Sequence, residues 1–355
     1  MSEQPADATE TDTDIPSGTY AYVGIVALYT ATIVLGLSMS DEMAAMGLVM
    51  FEDPGNVGNV GVFAVMVLLA TGVMLAAFRY DLGDLLVRAF LLGSAGTLTA
   101  AAVAALTGVG EIATDGLAMG LPTGPVSIGI TLGTFALLWV YPEWYVNDVA
   151  AVIFGAAAIP MLGLGFGPFP VVVLLVAWAG YDAYAVYVSG HMQELAAGLG
   201  DLKAPIVFVV PHTRAFSMRD PEFDLMGDGG QPEDVDAAAA ENGGDSADAS
   251  AEGPESPARS EVAILGLGDA LIPGMLAVSA GAFLDAPTLV PALNANAPAL
   301  GALVGGLLGM GGLLYLVHRV EGAHAGLPPL NAGVLGGYLV GAVAAGIPLT
   351  AALGL

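Results

Sequence analysis

The chain has 355 residues, 56% of them hydrophobic and 12% charged, whereas an average soluble domain is about 45–50% apolar and about 25% charged; composition therefore excludes an ordinary soluble fold. A net charge of −27 with only seven Lys and Arg excludes nucleic acid and anionic lipid as electrostatic partners, and it suits a surface kept hydrated in concentrated salt, which suggests a halophilic source. Cysteine is absent, which excludes a disulfide framework, a thiolate zinc site and a cysteine nucleophile.

In chain order, residues 1–17 are acidic and polar and read as a disordered cytoplasmic tail. They lack the basic start of a secretory signal, so the first apolar segment reads as a retained span. A helix needs about 20 mostly apolar residues to cross the hydrocarbon. Nine stretches meet that condition: 18–38, 59–79, 86–108, 119–141, 147–165, 169–190, 261–284, 296–318 and 326–352. Pro122, Pro125 and Pro160 interrupt the fourth and fifth. No stretch alternates with period two as a membrane barrel does. The expectation is an all-α membrane protein, multi-pass in the cell membrane and surrounded by the lipid bilayer. Spans 1–6 occupy 18–190 and spans 7–9 occupy 261–355.

The basic residues are Arg79, Arg88, Lys203, Arg214, Arg219, Arg259 and Arg319. Cytoplasmic loops collect Lys and Arg. With nine spans and a cytoplasmic N-terminus, all seven fall on the cytoplasmic side, and the C-terminus lies outside. The sizeable aqueous segment is the cytoplasmic loop 191–260. It holds a β-branched run, Ile206 to Val210, then an Asp-, Glu-, Ala- and Gly-rich stretch from about residue 220. That stretch cannot bury enough apolar surface to offset its ordering entropy, so disorder is expected there. Spans 8 and 9 carry glycine ladders, Gly301, Gly305 and Gly309 against Gly333, Gly337 and Gly341. Small residues four apart let helix backbones approach, which makes both spans interior elements of a tight bundle.

Carboxylates at bilayer depth cost about 2.5–3.5 kcal/mol on insertion scales, so the few that occur need a reason. Asp182 sits in span 6 and Asp269 in span 7. Asp81, Asp84, Glu143 and Asp148 lie at span ends and read as solvated loop charge. Asp182 is eight residues before the end of its span, and Asp269 eight after the start of its own. At about 1.5 Å per residue, each then lies about 12 Å from the cytoplasmic face. Two close carboxylates share one proton. The ionised member can take a proton from water while the protonated one donates to a peptide carbonyl. Gly266 and Gly268 remove side-chain bulk beside Asp269 and let backbone approach closely.

Tyr181-Asp182 in span 6, Gly266-Leu267-Gly268-Asp269 in span 7 and the long loop between them resemble the presenilin and signal peptide peptidase family of intramembrane aspartyl proteases. The stretch Tyr181 through Met192 looks most like the archaeal presenilin homologues. The resemblance implies a nine-helix presenilin-like bundle. It implies Asp182 and Asp269 as the catalytic pair, with Tyr181, Gly266, Leu267 and Gly268 as supporting residues. The family's third motif, Pro-Ala-Leu before span 9, is altered. Ala325-Gly326-Leu327 aligns with it and Pro328 follows, which adds Gly326, Leu327 and Pro328 as substrate-side residues; the rival alignment is Pro328-Pro329-Leu330. Literal Pro-Ala-Leu strings at Pro291–Leu293 and Pro298–Leu300 lie at the outward end of span 8 and read as coincidence.

The expected activity is an aspartic endopeptidase acting on transmembrane peptides or proteins, such as remnant signal peptides and type II membrane proteins, without cofactor or metal. The substrate helix must unwind, and an unwound strand in lipid needs hydrogen-bond partners. The Ile206–Val210 run is a candidate to pair with it by strand addition. Zinc proteases need His-Glu-x-x-His, which is missing here. A rhomboid-type serine site lacks its membrane histidine. Prepilin peptidases share Gly-x-Gly-Asp but not the Tyr-Asp partner. An ion- or proton-coupled transporter using the same two aspartates is the alternative outside enzymes.

Overall fold

The computed structural model describes residues 17–80, 83–108, 124–184, 186–187, 206–212, 216–219, 262–319 and 326–354. The acidic tail and the stretch from residue 220 expected to be disordered lie outside these. Most described residues are helical: α1 (Ser17–Ser38), the short α2 (Ser40–Ala45), α3 (Gly58–Arg79), α4 (Gly83–Thr107), α5 (Pro125–Val140), α6 (Trp144–Gly165) and α7 (Pro168–Tyr184) come first. Strands β1 (Val207–Pro211) and β2 (Val262–Gly266) follow, then α8 (Gly268–Phe283), β3 (Thr288–Val290), a 3-10 turn (Pro291–Leu293) and β4 (Ala295–Asn296). The chain closes with α9 (Ala297–Arg319), α10 (Leu327–Ala344) and the short α11 (Leu349–Ala352). Among these, five helices are long and apolar enough to cross a membrane, namely α1, α4, α6, α9 and α10. Shorter apolar helices lie within α3, α5, α7 and α8.

α6 is the most buried of the long helices. α1 presents Ala21, Ile25, Tyr29, Ile33 and Leu37 to the core, a four-residue spacing that forms one helix face. α6 packs on α1, α4 and α8. Glycines set these approaches: a Cβ at Gly36 of α1 would meet the Ala156 carbonyl at 3.1 Å, and one at Gly163 of α6 would meet the Met275 carbonyl at 2.9 Å. Pro160 sits inside α6 without ending it. On α3 and α4, by contrast, Val62, Val65, Leu68, Leu69, Val73, Leu86 and Phe90 are exposed, as suits side chains meeting lipid.

The glycine ladders join α9 to α10. A methyl added at Gly301 would overlap the Gly337 carbonyl, and one added at Gly305 would overlap the Gly333 carbonyl. Only the ladder faces are interior, however. Val304, Leu308, Val340 and Val343 on the far sides are exposed, so the two helices form a tight seam at the bundle's margin rather than lying within it.

The structure corrects three boundaries. The stretch 261–284 is not one helix: Val262–Gly266 is a strand, paired antiparallel with β1 from Val207↔Gly266 to Pro211↔Val262. Five apolar residues count the same toward helix or strand by hydropathy, and the partner strand decides. α7 is followed by π-helical residues 186–187, and the rest of its expected extent to 190 lies outside the described residues. α10 ends at Ala344, because Gly346 adopts φ 77° and Pro348 follows. α5 begins at Pro125, a residue suited to a first helical position.

Two acids expected in water are buried. Glu143 is 8% exposed and Asp148 3% exposed. Glu143 Oε1 accepts from the Ser217 hydroxyl at 2.8 Å, and Asp148 Oδ1 accepts from the Val209 N–H at 2.8 Å. The chain folds back over the start of α6, and this long-range packing removes both carboxylates from solvent. The side chain of Asp84 and all of Asp81 lie outside the described residues.

Candidate active site

The boundary correction at β2 moves Asp269 to a helix start. Asp182 lies in α7, which π-helical residues 186–187 follow, and Asp269 is the second residue of α8. The expected depth of eight residues into its helix is not kept for Asp269. The two residues lie on helices that pack together. Asp182 is buried, and its charge acts electrostatically on Asp269.

The approach to Asp269 is set residue by residue. β2 ends at Gly266, and the Leu267 N–H donates to the Ile206 carbonyl at 2.9 Å, extending the ladder by one residue. The Leu267 side chain is buried, and a Cβ at Gly155 of α6 would meet its Cδ1 at 2.9 Å. The missing side chain at Gly155 is thus a notch that takes Thr32 of α1, whose Cγ2 would lie 2.7 Å from such a Cβ, together with Leu267, and it helps hold the chain just before the aspartate. The Leu267 carbonyl then accepts the N–H groups of Ala270 and Leu271, both at 3.0 Å, starting α8. Pro273 lies inside α8. It supplies no N–H to the Asp269 carbonyl four residues earlier, so this first turn is loosened beside the carboxylate. A Cβ at Gly266 would lie 3.5 Å from Asp269 Oδ2, and one at Gly268 would meet nothing within 4 Å. Open space therefore borders the carboxylate on the glycine side.

Asp182 is tied to α10. The Leu327 N–H donates to Asp182 Oδ2 at 3.0 Å. Leu327 is the first residue of α10 and Gly326 precedes it. First-turn N–H groups have no partner within their own helix, and a helix start favours a nearby negative charge. Pro328 follows at the first turn, where its missing N–H costs nothing. The carboxylate thus meets the Gly326-Leu327-Pro328 segment rather than Pro328-Pro329-Leu330; Leu330 is wholly buried in the α9–α10 seam. The literal Pro-Ala-Leu strings lie beyond the opposite end of α8, in the 3-10 turn and at the start of α9. Tyr181 is 63% exposed and is not packed into the site.

Two residues beside this site were not anticipated. Asn331 is wholly buried one turn after Leu327, and its Nδ2 donates to the Leu175 carbonyl at 2.9 Å. This bond ties α10 to α7 and keeps Leu327 at Asp182. An amide within an otherwise apolar span was the available signal. Tyr29 of α1 is wholly buried, interacts electrostatically with Asp269, and its hydroxyl has no hydrogen-bond partner among the described residues. One tyrosine in an apolar helix carries no such signal. No group of residues able to hold a metal occurs among the described residues.

The sequence model described as signal-peptide peptidase, presenilin aspartyl protease matches residues 26–347. No curated protein matches the chain. Among solved structures, the chain is similar to a presenilin family intramembrane aspartate protease, with 27% identity and a TM-score of 0.58, over 91% of this chain and 99% of that one.

Proposed function

We propose that this chain, which belongs to the signal-peptide peptidase and presenilin aspartyl protease family, uses Asp182 and Asp269 to hydrolyse peptide bonds within transmembrane segments. It is a multi-pass membrane protein and a presenilin-type intramembrane aspartyl protease. The observation that carries the catalytic reading is the hydrogen bond from Leu327 N–H to Asp182 Oδ2. It orients one carboxylate from the start of α10 while leaving Asp269 at the open, glycine-lined side.

In the proposed reaction the ionised aspartate takes a proton from water as the oxygen attacks the peptide carbon. The protonated aspartate donates to the carbonyl oxygen. Collapse of the tetrahedral intermediate returns a proton to the leaving amine and breaks the C–N bond. The substrates in this reading are remnant signal peptides and type II membrane proteins. In this reading the five long apolar helices and the four shorter ones make nine crossings, and the seven basic residues, gathered on one side, put the N-terminus in the cytoplasm and the C-terminus outside.

An unwound substrate needs backbone partners, and the edge geometry favours β2 over β1 for that purpose. The outward N–H of Val209 on β1 is already taken by Asp148. Among the described residues no hydrogen bond reaches the outward backbone groups of Ile264 on β2. The strand addition first assigned to Ile206–Val210 is therefore reassigned to β2, which leads directly to Asp269.

The test is the purified chain in proteoliposomes with a transmembrane reporter, the products being mapped by mass spectrometry. Cleavage within the reporter's membrane segment is the expected result. Ion flux without any product would replace the protease reading with the transporter one.

A further inference from the structure

In an antiparallel pair, opposed residues alternate between exchanging both backbone bonds and exchanging none. The Leu267 N–H to Ile206 carbonyl bond sets the phase of this sheet. Residues 206, 208 and 210 face β2, and Val207, Val209 and Pro211 turn their backbone groups away from it. Val209 is wholly buried, so its outward N–H cannot turn to water. It donates instead to Asp148 Oδ1 at 2.8 Å, on a carboxylate that is itself 3% exposed. Asp148 lies in the first turn and a half of α6, the helix whose Gly155 notch seats Leu267 about two turns farther on. The same short stretch of α6 therefore holds β1 through a carboxylate and the end of β2 through a leucine.

The two edges of the sheet differ as a result. The β1 edge lies on α6 and its buried donor is consumed. The β2 edge keeps the outward groups of Ile264 free among the described residues, and Ile264 is 36% exposed. An apolar cleft of about 250 Å³ runs beside β2, lined by Tyr22, Ile25, Met310 and Leu313 together with β2 itself.

We propose that Asp148 is a positioning residue for proteolysis: by accepting the outward N–H of Val209 it fixes β1 on α6, closes that edge, and sets the register of β2 relative to Asp269. Strand addition by substrate is then confined to β2, and the scissile bond is chosen by a sheet whose position Asp148 holds. This inference rests on the protease reading above. It makes a carboxylate remote from the reaction govern which bond is cut.

The test uses the full chain in proteoliposomes with a transmembrane reporter, comparing Asp148→Ala, Asp148→Asn, Val209→Pro and the parent chain. Asn keeps an acceptor oxygen at the same place. Pro at 209 removes the donor without removing a bond to β2. Asp148→Ala and Val209→Pro are expected to slow cleavage by about tenfold or more and to spread it over neighbouring bonds. Asp148→Asn is expected to keep the parent product pattern. A parent pattern in Asp148→Ala or in Val209→Pro, even with lowered thermal stability, would overturn the proposal, since a purely structural role moves stability and not register. So would Asp148→Asn spreading its products as Ala does. Should Asp148→Ala not fold, the Val209→Pro and Asp148→Asn patterns decide. A parent chain that cuts no reporter overturns the protease reading itself, and is distinguished from the other outcomes by failing before any variant is compared.

Discussion

The α9–α10 seam and the Asp182–Asp269 junction are both rich in glycine, and they use it in opposite ways. Along the seam, glycines four residues apart sit in unbroken helices, and the space of each missing side chain is filled by a carbonyl of the facing helix. At the junction, Gly266 and Gly268 sit where a strand becomes a helix; the space Gly266 leaves borders the Asp269 carboxylate, and the space Gly268 leaves is open among the described residues. The seam has no room for a methyl group; the junction has room for a neighbour that is not part of the chain. Glycine in the first place buys contact, and in the second it preserves access to a carboxylate. A glycine count alone does not separate the two cases. What separates them is the company each keeps: small residues at constant spacing on the seam, a strand before and Pro273 after at the junction.

The same substitution should therefore act oppositely in the two regions. The largest effect is expected at the seam. Gly337→Val places side-chain atoms on the Gly301 carbonyl and should cost at least about 3 kcal/mol, the upper part of the usual overpacking range; thermal unfolding in detergent will show it, and an unchanged midpoint breaks the contrast. Next comes the N–H that reaches Asp182. Leu327→Pro keeps a residue suited to a helix start but deletes that donor, so cleavage should fall by about a hundredfold with the fold intact. Retained cleavage would detach α10 from the site. Ile264→Pro should abolish strand addition at the outward β2 edge and slow cleavage by about tenfold, since Pro at this position deletes no bond to β1; parent-like rates would return strand addition to an open question. At the junction, Gly268→Ala should raise stability by up to about 1 kcal/mol, as Ala is the better helix former, yet slow cleavage because the methyl occupies the open side. Faster unfolding with normal cleavage would contradict both halves. The smallest effect is expected between the regions, at Tyr29, whose hydroxyl lies against Gly306 of α9. Tyr29→Phe removes a buried group without a partner among the described residues and should change stability by no more than about 1 kcal/mol.

How much of this was legible depends on which residues carried a signal. Apolar length located the helices, and two acids in otherwise apolar stretches located the junction, because burial of a carboxylate is costly enough to need a cause. The strand nature of Val262–Gly266 was hidden, since five apolar residues before a helix extend the apolar run without marking a change of period. Its partner lies more than fifty residues away in sequence. The break after Ala344 was written in Gly346 and Pro348, but counting apolar residues over 326–352 overrode it. The burial of Glu143 and Asp148 was not legible at all. Both stand at the start of a helix, where water is the ordinary neighbour, and only the return of β1 and of residues 216–219 over α6 encloses them. The Leu327 contact falls between. The altered motif named the segment, while the amide that holds it in place, Asn331, passed for one more helical residue.

The central claim is that the two aspartates act as one catalytic unit, and the most direct measurement compares Asp182→Asn and Asp269→Asn with the parent chain on a transmembrane reporter in proteoliposomes. Each single change is predicted to lower cleavage by at least about a hundredfold while thermal unfolding stays within a few degrees of the parent. Cleavage at the parent rate by either variant would contradict the account.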